Sequence, residues 1–406
     1  MFHLECIVCG EKYGAEELVY VCHRCGELLD VKYNYNEIRG RLSKVDLRSR
    51  SLSVWRYREL LPILDDSKIV SLKEGGTKLH HCQRLGEKLG LKRLYVKTEG
   101  DNPTGSFKDR GMTVGITKAL EYGMKAVMCA STGNTSASLA AYAAKAGILC
   151  LVIIPSGKIA FGKLAQAVAY GAKIIQIKGN FDDALRIVME ISARGRIYLL
   201  NSVNPYRVEG QKTLAYEVAD QLGGQPPSKL IVPVGNAGNI SAIWKGFKEY
   251  RELGFINALP QMFGVQASGA APIVEAVREG LEAIRPVEKP ETVATAIRIG
   301  APVNWRKALR AIRESEGTAL SVTDGEILEG QRMLAKLEGL FAEPASAASI
   351  AGLKKFVEKG LISRNETVVC VATGHGLKDP DTPVRFGEKP LEAEEPLEEV
   401  EKLLEA

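Results

Sequence analysis

A lysine that closes a glycine-bounded turn dominates the chemistry legible in this chain. In Asp101-Asn-Pro-Thr-Gly-Ser-Phe-Lys108-Asp-Arg-Gly111, Pro103 and Gly105 mark a turn after an apolar strand end. Phe107 and Lys108 then open a helix-like run. A lysine there meets the positive end of the helix dipole, which favours its neutral amine. A neutral amine in a cleft attacks aldehydes, so Lys108 is a candidate Schiff-base lysine; taken alone, it also reads as a surface cation.

Four further motifs sit at the ends of apolar runs. Ala130-Ser-Thr-Gly-Asn-Thr-Ser136 brings hydroxyls, an amide and helix-start N–H groups together, which suits a carboxylate or simply caps a helix. Val232-Pro-Val-Gly-Asn-Ala-Gly-Asn239 is a Gly-rich loop whose backbone donors would cradle a phosphate. Asn201-Ser-Val-Asn-Pro-Tyr-Arg207 offers an amide, a hydroxyl and a guanidinium, a second oxyanion receptor. Ala372-Thr-Gly-His-Gly-Leu-Lys-Asp379 places His375 between glycines, as a pocket or structural residue. Open α/β sheets bind ligands at the carboxyl ends of their strands. Three oxyanion receptors and one amine fit a phosphorylated aldehyde cofactor and an anionic substrate.

A different chemistry occupies the N-terminus. Cys6-x2-Cys9 and Cys22-x2-Cys25, each followed by glycine, supply four thiolates, the shell of a structural zinc site. Tyr13, Leu18, Val19, Tyr20 and Val21 between the pairs are expected to form a short hairpin. The alternatives are disulfides or a fold that has lost its metal, and disulfides fit poorly without a secretory signal. With few basic residues, the segment is expected to be structural and remote from catalysis. Cys129, Cys150 and Cys370 lie in apolar runs as buried core residues; Cys82 is isolated.

The positioning elements follow from periodicity. Strands are expected at Arg93–Lys97, Ala126–Ala130, Cys150–Ile154, Lys173–Ile177, Ile197–Leu200, Leu230–Val234, Met262–Val265 and Thr367–Val371. Amphipathic helices are expected at Thr135–Lys145, Phe181–Ser192, Thr213–Leu222 and Ala242–Glu252. This alternation predicts α/β architecture with two open-twisted parallel-sheet domains and a cleft. The expected division is a zinc-ribbon-like segment over 1–32, a large cofactor-binding α/β domain over 33–125 and 205–385, a small α/β domain over 126–204 nested within it, and an acidic tail over 386–406. Residues 32–50 read as linker plus short helix. The 406 residues are 45% apolar and 25% charged, which excludes a mostly disordered chain. A net charge of +5 implies no large nucleic-acid surface, and no apolar run approaches the length of a membrane span.

These motifs resemble the threonine synthase family, pyridoxal-phosphate enzymes of fold type II (the tryptophan synthase β-like fold) that convert O-phosphohomoserine and water to threonine and phosphate. Asn102-Pro-Thr-Gly-Ser-Phe-Lys108-Asp-Arg-Gly marks the wider fold-type group; Gly162-Lys-Leu-Ala-Gln also matches. Arg207-Val-Glu-Gly-Gln-Lys-Thr and Thr373-Gly-His-Gly-Leu-Lys-Asp are narrower. The resemblance covers about residues 50–385, and the ribbon resembles a longer branch of the family. It departs at Lys78 in Glu74-Gly-Gly-Thr-Lys78-Leu, where the family usually has proline.

By this resemblance Lys108 would hold pyridoxal 5'-phosphate and shuttle protons. Asn134 would contact its ring oxygen, Gly235, Asn236, Ala237, Gly238 and Asn239 its phosphate, and Thr373 its pyridine nitrogen. Ser131, Thr132 and Thr135 would hold the substrate carboxylate, and Asn201, Ser202 and Arg207 its phosphate. Cys6, Cys9, Cys22 and Cys25 would hold zinc. The resemblance implies a cytoplasmic homodimer acting on a small molecule, without nucleic-acid or membrane partners. The rival reactions are cysteate synthesis from phosphoserine and sulfite, and threonine dehydration; a zinc-ribbon regulatory protein that binds nucleic acid is the rival of another class.

Overall fold

Thirteen strands among the described residues assemble into three sheets. The computed structural model describes residues 2–156, 161–178 and 181–386. The acidic tail beyond residue 386 lies outside them, as does the side chain of Lys163 in the Gly162–Gln166 motif.

The strands are β1 (Phe2–Cys6), β2 (Lys12–Tyr13), β3 (Leu29–Tyr33), β4 (Leu79–His81), β5 (Arg93–Thr98), β6 (Ala126–Ala130), β7 (Leu149–Pro155), β8 (Lys173–Ile177), β9 (Tyr198–Leu199), β10 (Lys229–Pro233), β11 (Gln261–Ala267), β12 (Thr318–Val322) and β13 (Thr367–Ala372). A six-stranded sheet runs β12-β11-β10-β13-β5-β4, parallel except for the edge strand β4. A four-stranded sheet, all parallel, runs β8-β7-β6-β9. The chain leaves the large sheet after β5, builds the small one, and returns at β10.

The central strands are apolar throughout because helices cover both faces. Leu230 and Val232 of β10 join a core with Trp244, Phe247 and Leu309 on one face. Ile231 joins Leu334, Ile350 and Phe356 on the other. Edge strands carry this signal unevenly. Strand β8 is half exposed, and β4 is three residues long. Sequence periodicity therefore located every central strand within a residue or two but missed β4 and β12.

The N-terminal sheet runs β2-β1-β3 and differs from the expected hairpin between the cysteine pairs. Strand β2 turns back onto β1 (Leu4↔Tyr13), and only an isolated bridge joins Val21 to Leu28. Each Cys-x2-Cys-Gly forms the same loop: Gly10 N–H donates to the Cys6 carbonyl and Gly26 N–H to the Cys22 carbonyl, with φ of 74° and 73° at the glycines. A left-handed residue is required there, which is why glycine follows each pair. The connector holds two short helices, Tyr35–Arg39 and Lys44–Ser49, the second with a Ser43/Asp46 capping box.

The ribbon is not remote from the rest of the molecule. Tyr206 packs in its core with Leu4, Cys6, Tyr13, Leu29 and Val31. Tyr33 Oη donates to Glu209 at 2.8 Å, and Tyr20 Oη accepts from Leu199 N–H at 2.9 Å. Lys245 bonds Glu209, Asp30 and the Val31 carbonyl. The ribbon packs on the rest of the molecule through β3, which lies on the helix Pro205–Glu209. No helix among the described residues is long and apolar enough to cross a membrane.

Candidate active site

The five strand-end motifs converge at the carboxyl ends of β5, β6, β9, β10 and β13. Lys108 opens the helix Lys108–Glu121 without a side-chain cap. Two backbone bonds stitch its loop to the turn after β13: Phe107 N–H to the Thr373 carbonyl at 3.0 Å and His375 N–H to the Gly105 carbonyl at 2.9 Å. Gly105 has φ of 83°, and a Cβ there would crowd Lys378. Beneath the loop, Asp109 accepts from Thr104 N–H (2.7 Å), Thr104 Oγ1 (2.6 Å) and Ser138 Oγ (2.5 Å). Arg110, 0% exposed, forks onto Glu99 and Glu217, and Lys97 also pairs with Glu217. The Lys108 loop is thus anchored by a buried charge network whose members are all paired.

The Lys108 amine is pushed down to about 7, first by burial and then by the nearby Arg207 charge, with Glu343 pulling the other way. The side chain is half-buried, so protein surrounds it without sealing it. Burial is the largest cause of its lowered basicity.

The anion receptors differ in how they are built. Arg207 is 0% exposed; its Nη1 donates to Ser202 Oγ at 3.2 Å and its Nη2 to Thr135 Oγ1 at 3.3 Å. Its Nε has no partner among the described residues, a buried donor left for an anion. Burial lowers its guanidinium only to about 10, so it stays charged at neutral pH. Asn201, expected in the same receptor, is otherwise engaged. Its Oδ1 accepts from Ala130 N–H and its Nδ2 donates to the Ala130 carbonyl, both at 2.9 Å, which ties the β9 end to the β6 end. Thr135 faces Arg207 rather than Ser131, whose Oγ accepts from Gly133 N–H at 3.2 Å; Thr132 is exposed.

The Gly235–Asn239 loop opens the helix Gly238–Glu252. Ala237 sits at φ 64°, a left-handed conformation that costs a non-glycine residue about 1 kcal/mol and turns successive N–H groups the same way. Both amide atoms of buried Asn239 lack partners among the described residues. Gly235 lies so close to Ala296 and Ile297 that a Cβ would meet the Ile297 Cα at 3.1 Å. Asn304 N–H donates to the Asn236 carbonyl, and Asn304 Nδ2 to the Ser202 carbonyl, both at 3.1 Å, coupling this loop to Arg207's neighbours. Thr373 Oγ1 lies 3.0 Å from Ser346 Oγ. Asn134 Nδ2 donates to Glu343 at 2.9 Å. These orphaned donors and the glycine-lined cradle fit a phosphorylated, ring-bearing cofactor next to an amine.

Sequence reasoning missed Glu343, Ser346, Asn304 and Lys378. The first three lie outside the strand-end motifs, and only a proline after Glu343 signals a helix start. Lys378 Nζ donates to the Thr104 carbonyl at 3.0 Å and also reaches Gln166. At the ribbon, the four sulfurs lie within 4.8 Å of one another and are all free thiols, so they present a cage for one metal ion and no disulfide.

The model of the family described as pyridoxal-phosphate dependent enzyme matches residues 70–374. Threonine synthase of Methanocaldococcus jannaschii is 60% identical over 389 residues, 96% of each chain. That of Methanosarcina acetivorans is 59% identical over 96% of this chain and 95% of its own. That of Mycobacterium tuberculosis is 56% identical over 81% of this chain and 89% of its own. Among solved structures, maize serine racemase superposes with TM-score 0.65 at 21% identity, covering 76% of this chain and 90% of its own. The processed form of threonine deaminase isoform 2 from Solanum lycopersicum superposes with TM-score 0.63 at 23% identity, covering 74% and 79%. The chain belongs to the pyridoxal-phosphate dependent enzymes and, within them, to the threonine synthases.

Proposed function

We propose that the chain converts O-phospho-L-homoserine and water to L-threonine and phosphate by γ-elimination and β-addition of water. The observation that carries this reading is Arg207, a buried cation with a free Nε, beside a lysine whose lowered basicity leaves a large neutral fraction near pH 7. That pairing suits a substrate with a phosphate on one end and an amino acid on the other.

Pyridoxal phosphate, when bound, supplies the electron sink that lets substrate bonds to hydrogen and to the phosphate oxygen break. Lys108 would carry it, Asn134 and Thr373 would hold its ring, and Gly235–Asn239 its phosphate. The Lys108 amine takes the α proton and moves protons at the β carbon. Its depressed basicity keeps a large neutral fraction at physiological pH. Ser131 and Thr132, at the start of the helix Asn134–Ala146, offer hydroxyls and N–H groups to the substrate carboxylate. Arg207, braced by Ser202 and Thr135, grips the substrate phosphate; Asn201 supports that loop. As the phosphate leaves from the γ carbon, Arg207 stabilises the charge it gains. Held there, the phosphate is a base of suitable strength to activate the water that adds at the β carbon.

The reading includes one zinc ion at Cys6, Cys9, Cys22 and Cys25, and the expected division into ribbon, large domain and nested small domain. It also includes a cytoplasmic homodimer, checked by light scattering of the loaded protein. Borohydride treatment of the yellow loaded protein should fix the cofactor on the peptide containing Lys108. Labelling of another lysine would overturn the assignment.

A further inference from the structure

Glu343 has no place in the roles above, although it stands at their centre. Its carboxylate is 5% exposed at the start of the helix Pro344–Glu358. Oε1 accepts from Asn134 Nδ2 at 2.9 Å, and the Glu343 N–H donates to the Gly374 carbonyl at 3.1 Å. One residue therefore ties the helix start after β6 to the turn after β13. Gly374 makes room for this contact: a Cβ there would lie 2.5 Å from Glu343 Oε1 and 3.4 Å from Asn134 Nδ2.

An asparagine amide has two N–H donors in one plane. Glu343 takes one and thereby fixes the plane; the other N–H points elsewhere. We propose that Glu343 is a positioning residue that holds the Asn134 amide so that its second N–H is presented to the cofactor's ring oxygen. This rests on the proposed contact between Asn134 and that oxygen. Burial raises the Glu343 carboxyl to about 7, opposed by Lys378, the Asn134 bond and Lys108 and assisted by Asp379. Ionised or neutral, it keeps an oxygen able to accept from Asn134.

The test is a double-mutant cycle on cofactor affinity, measured by equilibrium titration of full-length apoprotein with pyridoxal phosphate. Visible circular dichroism of the loaded protein reads ring orientation in parallel. Glu343→Ala and Asn134→Ala should each weaken binding about tenfold and reduce the visible signal alike, and the double variant should be no worse than either. Glu343→Gln, which keeps an acceptor oxygen, should stay within about threefold of the unaltered protein and retain the signal. Additive losses of about a hundredfold in the double variant, or loss of signal in Glu343→Gln equal to that in Glu343→Ala, would overturn the proposal. If Glu343→Ala fails to fold, Glu343→Gln is compared with Asn134→Ala: a signal and affinity near those of the unaltered protein support the proposal, and losses equal to those of Asn134→Ala overturn it. Failure of the unaltered protein to take up the cofactor would instead overturn the reading on which this rests.

Discussion

Replacing Arg207 by alanine removes one guanidinium and little else. Its stem packs over glycines: a Cβ at Gly111 would lie 3.3 Å from the Arg207 Cγ, and one at Gly115 would lie 3.5 Å from its Cβ. The backbone around it is held independently, by Asn204 Oδ1 accepting the Arg207 N–H and by Tyr206 in the ribbon core. The head makes two contacts to neutral hydroxyls, at 3.2 and 3.3 Å, so the fold loses on the order of 1–3 kcal/mol from them. A bound phosphate would lose a charge-assisted, potentially bidentate contact in a desolvated site, about 2–4 kcal/mol, or roughly 30- to 1000-fold in kcat/KM. Steady-state assays should find this loss with O-phospho-L-homoserine and a much smaller one for the slow dehydration of unphosphorylated serine. Arg207→Lys should recover part of it, since a point charge replaces a fork. Uptake of the cofactor should be unchanged, because the proposed reading gives the cofactor's phosphate to a different loop, Gly235–Asn239. Equal losses for phosphorylated and unphosphorylated substrates would refute phosphate recognition by Arg207.

Other outcomes follow from the same geometry. The folded protein holds Lys108 near 7 against an ordinary 10.5, so the unfolded chain binds the extra proton between those values and apoprotein stability rises with pH there. Lys108→Met should therefore raise the apoprotein Tm most at and below pH 7, with the difference vanishing toward pH 10.5; a pH-independent difference would contradict it. Zinc should be found at one per chain, and Cys9→Ser/Cys22→Ser should unfold the ribbon and raise KM for O-phospho-L-homoserine several-fold through Tyr206 and Tyr33, as elemental analysis and kinetics would show. Ala237→Gly should relieve the left-handed backbone and raise stability by about 0.5–1 kcal/mol in denaturant titration, with activity kept.

The strand-end motifs were legible because each is local: a buried strand, a glycine or proline turn and a helix start lie within a dozen residues. Lys108, Arg207 and the Gly235–Asn239 loop were singled out that way. Relationships across the chain were not. Asn134 and Glu343 are 209 residues apart, so nothing local announces their bond. Asn201 reads as a free amide in the sequence, yet both ends of its side chain meet the Ala130 backbone, 71 residues away. The ribbon's contact with the Arg207 helix is equally remote, since Tyr33 and Glu209 are 176 residues apart. Strand β12 was missed because Thr318-Ala-Leu-Ser-Val322 intersperses small and polar residues, so no continuous apolar run marks it.

The most direct measurement mixes the cofactor-loaded protein with O-phospho-L-homoserine and follows threonine and phosphate in the same sample. Phosphorylated substrate bound by Arg207 and processed by Lys108 predicts the two products in equal amounts. It also predicts that Lys108→Ala releases neither. Phosphate without threonine, or no turnover by well-folded loaded protein, would contradict it.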